Sequence, residues 1–421
     1  MSVVAVGLNH RTVPLSVLEP MTVPASRLPK ALHDLSTKDN LSEVVVLSTC
    51  LRTEVYAVAS RFHPAMGDIR EFLSEWSGLP PDEFAGDLYE YHDEQAARHL
   101  LTVASGLDSA VLGEGEVLGQ VGAAWEAAQD EGTAGPVLSI LFRHALETGK
   151  RVRSETAIAR GTTSLSQAAV ALAAEELGTL SGLTTLVIGA GEMGEAMAQA
   201  LAGALDQDGQ LLVANRTWSR ATELAARCGG RAIEWGGLQQ ALVQADVVLA
   251  STGSEQFLLV AADVEPLLSE RQGRPLLIVD IAVPRDVDPA VGDIEGVTLF
   301  DMLYLAAFAA KGMDDRRAEV PNALGIVADE LDRYLDLSSQ RQVAPIVAAL
   351  HSRADEVRAA ELDRFSRRLA GLSPAERQAV EALTRGIVAK LLHDPTVAVK
   401  SAAGSPAGEQ LAQSLRQLFG L

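Results

Sequence analysis

Gly189-Ala190-Gly191-Glu192-Met193-Gly194 limits the folds open to this chain more than any other stretch. The apolar run Thr184–Ile188 precedes it and a helical pattern follows, the order of a dinucleotide-binding turn. Gly189 permits the tight turn, Gly191 lets backbone approach a pyrophosphate, and Gly194 lets helix and strand pack closely. Ala190, Glu192 and Met193 complete the cofactor loop, and the helix start offers free N–H groups to phosphates. The strand-like runs Leu211–Ala214, Val247–Ser251 and Leu276–Asp280 alternate with helical stretches through about Phe300. A doubly wound parallel sheet is expected. The second strand ends Ala214-Asn215-Arg216-Thr217, where an NAD site carries an acid. Arginine there suits a 2′-phosphate, so NADPH is the expected cofactor. The plainer reading of Arg216 is a solvated surface arginine.

On either side the pattern differs. Residues 1–155 read as mixed α/β, with strands at Ser2–Leu8, Glu43–Thr49 and Thr53–Ala59 and a helix at Pro24–Leu35. From Asp93 the chain is mostly helical, interrupted by the glycine-rich Gly106–Gly122. Residues 156–302 form the Rossmann-type domain. Its first helix is expected to begin at Thr163-Ser164, with Ser164 and Gln167 at capping-box spacing. From Leu303 long amphipathic helices are expected: Val320–Ser338, Pro345–Ala370 and Pro374–Leu392. Ser401–Glu409 reads as a flexible linker before a short last helix. Residues 303–421 thus read as an all-α interaction or dimerisation domain, linked by a long helix.

Net charge is −21. Residues 1–310 hold 20 Lys+Arg against 41 Asp+Glu, while 311–421 hold 15 of each. Such a chain repels nucleic acid on average, so any RNA contact needs local basic patches. The Arg353–Arg368 cluster is one candidate, although acids alternate with it as on a solvated helix face. No apolar stretch reaches the roughly 18 residues that span a bilayer, so no membrane partner is expected. The Met1–Gly7 segment lacks a basic region and an apolar core, so no secretory leader is expected. With two cysteines, a reducing cytoplasm is the expected setting. No His/Cys cluster has metal-ligand spacing.

Cys50 ends the apolar run Val44–Thr49 and is followed by Leu51-Arg52. Residues two apart on an extended chain share a face, so Arg52 points the same way as the thiol. Its guanidinium would lower the thiol pKa or pair with a substrate carboxylate. A thiol nucleophile together with a nicotinamide domain points to reduction of an acyl-enzyme. The other cysteine, Cys228, sits in Arg227-Cys228-Gly229-Gly230 and reads as structural.

Several blocks resemble glutamyl-tRNA reductase. They are Gly7–Pro14, Ser48–Tyr56, Gly106–Glu114, Leu118–Val121, Gly149–Arg153 and Val279–Asp286, in the family's order along essentially the whole chain. The resemblance implies NADPH-dependent reduction of glutamyl-tRNA(Glu) to glutamate-1-semialdehyde, the precursor of 5-aminolevulinate and porphyrins. It implies Cys50 as nucleophile and His99 as a histidine important for activity, with His10 the rival proton donor. It places Thr49, Leu51, Arg52, Ser109, Glu114, Gly115, Glu116 and Gln120 at substrate-binding positions. A homodimer and a complex with glutamate-1-semialdehyde aminomutase are the implied partners. Two positions depart from the family: Leu51 replaces the usual asparagine, and Glu114-Gly115-Glu116 replaces Glu-Pro-Gln. The thiol and the cofactor loop fall on separate domains, so the nucleotide domain is expected to swing toward Cys50. Other readings of the residues are a thiol-dependent reductase of a free acyl compound and a non-enzymatic NADPH or tRNA sensor.

Overall fold

The computed structural model describes residues 2–159, 164–206, 208–254, 256–310 and 314–421. Residues 1–328 form one compact unit and 329–421 a second.

The first unit opens with β1 (Ser2–Asn9), α1 (Leu15–Met21), α2 (Leu28–Ser36), β2 (Leu41–Ser48), β3 (Arg52–Ala59) and α3 (Phe62–Ser77). β4 (Tyr89–His92), α4 (Glu94–Ala104), α5 (Glu116–Asp130) and α6 (Pro136–Glu155) follow. The four strands form an antiparallel sheet in the order β2-β3-β1-β4. Valines recur through β1 to β3, as a pleated, buried surface favours. The period-two alternation expected of Thr53–Ala59 is absent from its burial, because all eight residues of β3 are buried. Helices α1, α3 and α6 pack on that strand. The helix expected at Pro24–Leu35 forms as α2, starting later at Leu28 with Pro29 in its first turn, where a missing N–H costs nothing, and α1 before it was not expected. The short strand β4 carries no sequence signal of its own.

α7 (Leu165–Leu177) starts the nucleotide domain. Ser164 Oγ accepts from Gln167 N–H and the Gln167 side chain from Ser164 N–H, both at 3.2 Å, so the capping box forms. Thr163 lies outside the described residues. β5 (Thr184–Ile188), α8 (Glu192–Ala204), β6 (Gln210–Ala214), α9 (Trp218–Cys228), β7 (Arg231–Ile233), α10 (Leu238–Gln244), β8 (Val247–Ala250), α11 (Ala261–Glu270), β9 (Leu276–Asp280), β10 (Val297–Phe300) and α12 (Met302–Ala309) follow. Their parallel sheet runs β10-β9-β8-β5-β6-β7, with the chain reversing direction across the sheet beside β5. Ligands bind at that switch point in such sheets. It is where the glycine loop lies.

α13 (Asp314–Arg364) is a single helix of 51 residues. Two separate helices were expected, because Pro345 costs an interior helix about 3 kcal/mol. Val343, Ile346 and Leu350 share a core with Leu392 and Val399 of α15 (Pro374–Ser401), and this packing offsets the lost hydrogen bond. α14 (Ser366–Leu369) makes one turn between them. The expected linker is also absent. Only residues 402–405 separate α15 from α16 (Pro406–Phe419), and Ser405 Oγ caps α16 by accepting from Gly408 N–H at 3.1 Å. Among the described residues no helix is long and apolar enough to cross a membrane.

The glycine loop supports a direct test. A Cβ added at Gly194 would lie 2.2 Å from the Gly189 carbonyl oxygen, whereas one at Gly191 meets nothing within 4 Å. Gly194→Ala should therefore lower stability by about 1–3 kcal/mol in denaturant unfolding. Gly191→Ala should stay within about 0.5 kcal/mol of the parent. Equal losses would contradict this packing.

Candidate active site

Thr49, Cys50 and Leu51 form the turn between β2 and β3. Thr49 N–H donates to the Arg52 carbonyl at 2.8 Å, and Leu51 N–H to Thr49 Oγ1 at 3.2 Å. His10 N–H donates to the Leu51 carbonyl at 3.0 Å, tying the β1 end to the thiol loop. Cys50 is half-buried. Burial first, then the carboxylates of Glu114 and Glu116, push its thiol up to about 12, and Arg52 only partly opposes them. Of the two readings of Arg52, the lowering of the thiol is outweighed by these carboxylates.

Arg52 is held rather than free. Its Nη1 meets Glu54 Oε1 at 2.7 Å, and its Nη2 meets Asp108 Oδ2 at 2.9 Å and the Asp108 carbonyl at 2.7 Å. Arg11 reaches the other Asp108 oxygen at 2.7 Å. Glu54 is a hub that the sequence reading did not single out. It also accepts from Tyr56 at 2.6 Å and from Tyr89 at 2.5 Å, and lies 2.9 Å from His99 Nε2. Burial alone would raise its pKa, but Arg52, His99 and Tyr56 hold it well below the usual carboxylate range. The legible signal was the i, i+2 pair Arg52 and Glu54 on one strand face. Tyr89 and Asp108 had none, since β4 and a loop deliver them.

His99 sits on α4 with its ring against Tyr89 and Tyr91, at centroid distances of 5.1 and 4.8 Å. Its polar partner is Glu54. His10 is shifted down by burial, then by Arg11 and Arg52. Ser109, Glu114 and Gly115 lie in the loop before α5, Glu116 opens that helix, and Gln120 is half-buried one turn later. Burial raises Glu114, against Ser109, Arg52 and Arg153. Glu116 is raised to about 7 by burial, then by Glu114, then by Glu192 of the glycine loop.

That last effect shows the two predicted sites to be neighbours. Leu51 and Val111 share one apolar cluster with Leu165, Val187 and Met197 of the nucleotide domain, and Cys50, Ala190 and Met193 pack against it. The expected separation of thiol and cofactor loop is therefore closed in this structure. Leu51, the departure from asparagine, is 7% exposed and seals the contact.

The loop fits a dinucleotide. Gly189 has φ +112°, a Cβ on it would sit 2.8 Å from the Ser251 carbonyl, and the face over Gly191 is open. Ala190 N–H donates to Asn215 Oδ1 at 3.2 Å. Arg216 donates to Ser254 Oγ at 2.8 Å and lies 5.7 Å from the Trp235 ring centre. Cys228 is half-buried at the end of α9, as a structural cysteine would be. Arg353, Arg358 and Arg364 pair with Glu356, Asp355 and Glu361 three residues away, which favours a solvated helix face.

Comparison with known proteins agrees with this geometry. Residues 6–156 match the glutamyl-tRNA(Glu) reductase N-terminal domain, 171–307 match shikimate/quinate 5-dehydrogenase, and 322–421 match the glutamyl-tRNA(Glu) reductase dimerisation domain. The glutamyl-tRNA reductase of Desulforudis audaxviator is 40% identical over 427 residues, covering 100% of this chain and 94% of that protein. That of Frankia alni is 39% identical over 457 residues, covering 100% and 96%. The solved glutamyl-tRNA reductase from Methanopyrus kandleri is 34% identical with a TM-score of 0.53, covering 100% and 99%. This chain belongs to the glutamyl-tRNA reductase family. As a member of that family it is an oxidoreductase with a nicotinamide-binding domain.

The crowded carboxylates of this family member set a pH dependence. Glu116 rises from 4.5 to about 7 on folding, so the native state holds the extra proton between those values. Stability is then greatest below pH 4.5 with respect to this group and falls as pH rises through 7. Glu116→Gln should remove that slope and exceed the parent by about 1–3 kcal/mol at pH 8, with the gap closing toward pH 5. Urea unfolding across pH 5–8 measures it, and parallel curves for the two proteins would refute it.

Proposed function

We propose that this protein is an NADPH-dependent glutamyl-tRNA reductase. It converts glutamate esterified to tRNA(Glu) into glutamate-1-semialdehyde through a thioester on Cys50, supplying 5-aminolevulinate and porphyrin synthesis. The observation that carries the reading is the single apolar cluster bordered by the thiol and the dinucleotide loop. A thiol beside a nicotinamide site suits acyl reduction, and neither group alone does.

Cys50 Sγ attacks the ester carbonyl carbon, its bond to the ribose oxygen breaks, and the tRNA hydroxyl leaves with a proton. That proton comes from His99, oriented by Glu54, or from His10, beside the thiol loop. A reduced nicotinamide, when bound, supplies the hydride that turns the thioester into an aldehyde and returns the thiolate. The chain's own residues set the geometry. The substrate's γ-carboxylate takes Arg52 by displacing Asp108, in bidentate fashion. Its α-ammonium settles beside Glu114 and Glu116, with Thr49, Ser109 and Gln120 around it. A cation there offsets the two carboxylates that hold the thiol up, so substrate binding itself favours the thiolate. Leu51 keeps water from the thioester. Gly189, Gly191 and Gly194 shape the pyrophosphate cradle, and Arg216 receives the 2′-phosphate.

Residues 1–155, 156–302 and 303–421 act as catalytic, nucleotide-binding and dimerisation domains. Leu383, Ile387 and Leu391 are 64, 50 and 70% exposed and spaced four apart on α15. Such an apolar stripe on a dimerisation domain fits a homodimer. The reactive aldehyde favours handover to glutamate-1-semialdehyde aminomutase, and a free thiol nucleophile suits the reducing cytoplasm.

Two experiments test the reading. NADPH oxidation should require charged glutamyl-tRNA, should not occur with uncharged tRNA or a small glutamyl ester, and should vanish in Cys50→Ser. Turnover of the small ester at the tRNA rate would favour a reductase of free acyl compounds. Arg216→Asp should lower the NADPH over NADH preference by about ten-fold or more, as loss of a charge-assisted contact does. An unchanged preference would make Arg216 a bystander.

A further inference from the structure

Glu19 and Arg285 lie 266 positions apart in the chain, one in the catalytic and one in the nucleotide domain. Their side chains pair in a two-pronged contact. Arg285 Nε meets Glu19 Oε1 at 2.7 Å, Nη2 meets Oε2 at 2.9 Å, and the Arg285 N–H reaches Oε1 at 3.0 Å. The two side chains are only 21% and 13% exposed. Such a fork is directional and better shielded than an ordinary surface pair.

Each partner is wired to one reacting centre. On one side, Glu19 sits in α1, and Val23 just beyond it donates its N–H to Ser48 Oγ at 2.8 Å. Ser48 is two residues before Cys50 and also bonds Thr53 Oγ1 at 3.0 Å. On the other side, Asp286 follows Arg285 and accepts from Thr252 N–H at 2.6 Å and from the Thr252 hydroxyl. Thr252 adjoins Ser251, whose carbonyl closes on Gly189 of the cofactor loop. Neither Glu19 nor Arg285 touches a reacting atom. Across the same interface Glu116 and Glu192 bring like charges together, which opposes closure.

We propose that the Glu19–Arg285 pair is a clamp that positions the cofactor loop on the Cys50 loop for the reductive step and leaves the acylation step alone. The inference rests on the two-stage reaction proposed above. The clamp offsets the carboxylate repulsion, and Leu51 supplies the apolar half of the same contact.

Three measurements on the full-length protein test it. In single turnovers with charged glutamyl-tRNA, Glu19→Gln and Arg285→Gln should each slow NADPH oxidation about ten-fold, the loss of roughly 1.4 kcal/mol of positioning. Release of tRNA without NADPH, which reads acylation of Cys50, should keep the parent rate. The exchanged pair, Glu19→Arg with Arg285→Glu, should recover most of the reductive rate, which a merely misfolded variant would not. Fluorophores attached through non-natural residues at the exposed positions Glu131 and Glu223 should report a longer inter-domain distance in the single variants. If acylation and reduction fall together, if reduction is unchanged, or if the fluorophore distance does not move, the clamp is overturned. If the parent itself fails to use charged tRNA, the proposed reaction fails, while the fluorophore distances still decide the clamp.

Discussion

A carboxylate buried in the middle of a sheet holds the N-terminal domain of this molecule together. Glu54 is fully buried on β3 and gathers Arg52 from its own strand, Tyr56 from the same face, Tyr89 from β4 and His99 from α4. A charge in that position is costly unless it is paired and hydrogen-bonded, and here Oε1 meets Arg52, Tyr89 and His99 while Oε2 accepts from Tyr56. Removing one member would leave others buried without a partner, a loss typically of about 3–5 kcal/mol. The network therefore fixes β4 and α4 relative to the start of β3, and Cys50 sits two residues before that start. The thiol loop inherits its position from the buried Arg52–Glu54 salt bridge at the start of β3.

The electrostatics around the thiol run against reactivity in this state. Glu114 and Glu116 raise the thiol, and Arg52, which opposes them, is already shared between Glu54 and Asp108. A thiol kept protonated is protected from stray acylation and oxidation. The same carboxylates meet Glu192 across the domain boundary, so charge and apolar contact pull in opposite directions there. Leu51 tips the apolar side. An asparagine at that position would add a polar group to a cluster of leucines, valines and methionines.

Much of this was legible in the residues, and the failures have common causes. The glycine loop, strands β1, β2 and β3 and the central parallel strands β5, β6, β8 and β9 come from strong local signals, because a buried parallel strand needs a continuous apolar run, while β7 and β10 at the sheet edges gave none. β4 is four residues long and exists only because β1 offers it an edge. Pro345 argued for a helix break, and packing with α15 overrode it. Ser401–Glu409 read as linker from its composition, yet a serine cap and a tight turn order it. Of the candidate site, Cys50, Arg52, the 114–116 loop and Arg216 were legible as motif members. Their partners Glu54, Asp108, Tyr89, Ser254 and Trp235 were not, because each is brought in from a different element.

The sequence by itself determined the chemistry on offer: a thiol after an apolar strand, a dinucleotide turn, an arginine where a 2′-phosphate would lie, and an acidic front end with a neutral helical tail. Those are properties of short windows, where residue type and spacing suffice. Only the tertiary structure decided what each group is free to do. It committed Arg52 to two carboxylates, tied His99 to Glu54, surrounded Cys50 with acid, and set the thiol loop against the cofactor loop through Leu51 and the Glu19–Arg285 pair. Those outcomes depend on contacts between residues tens to hundreds of positions apart, and the dielectric and charge at a site are sums over all of them.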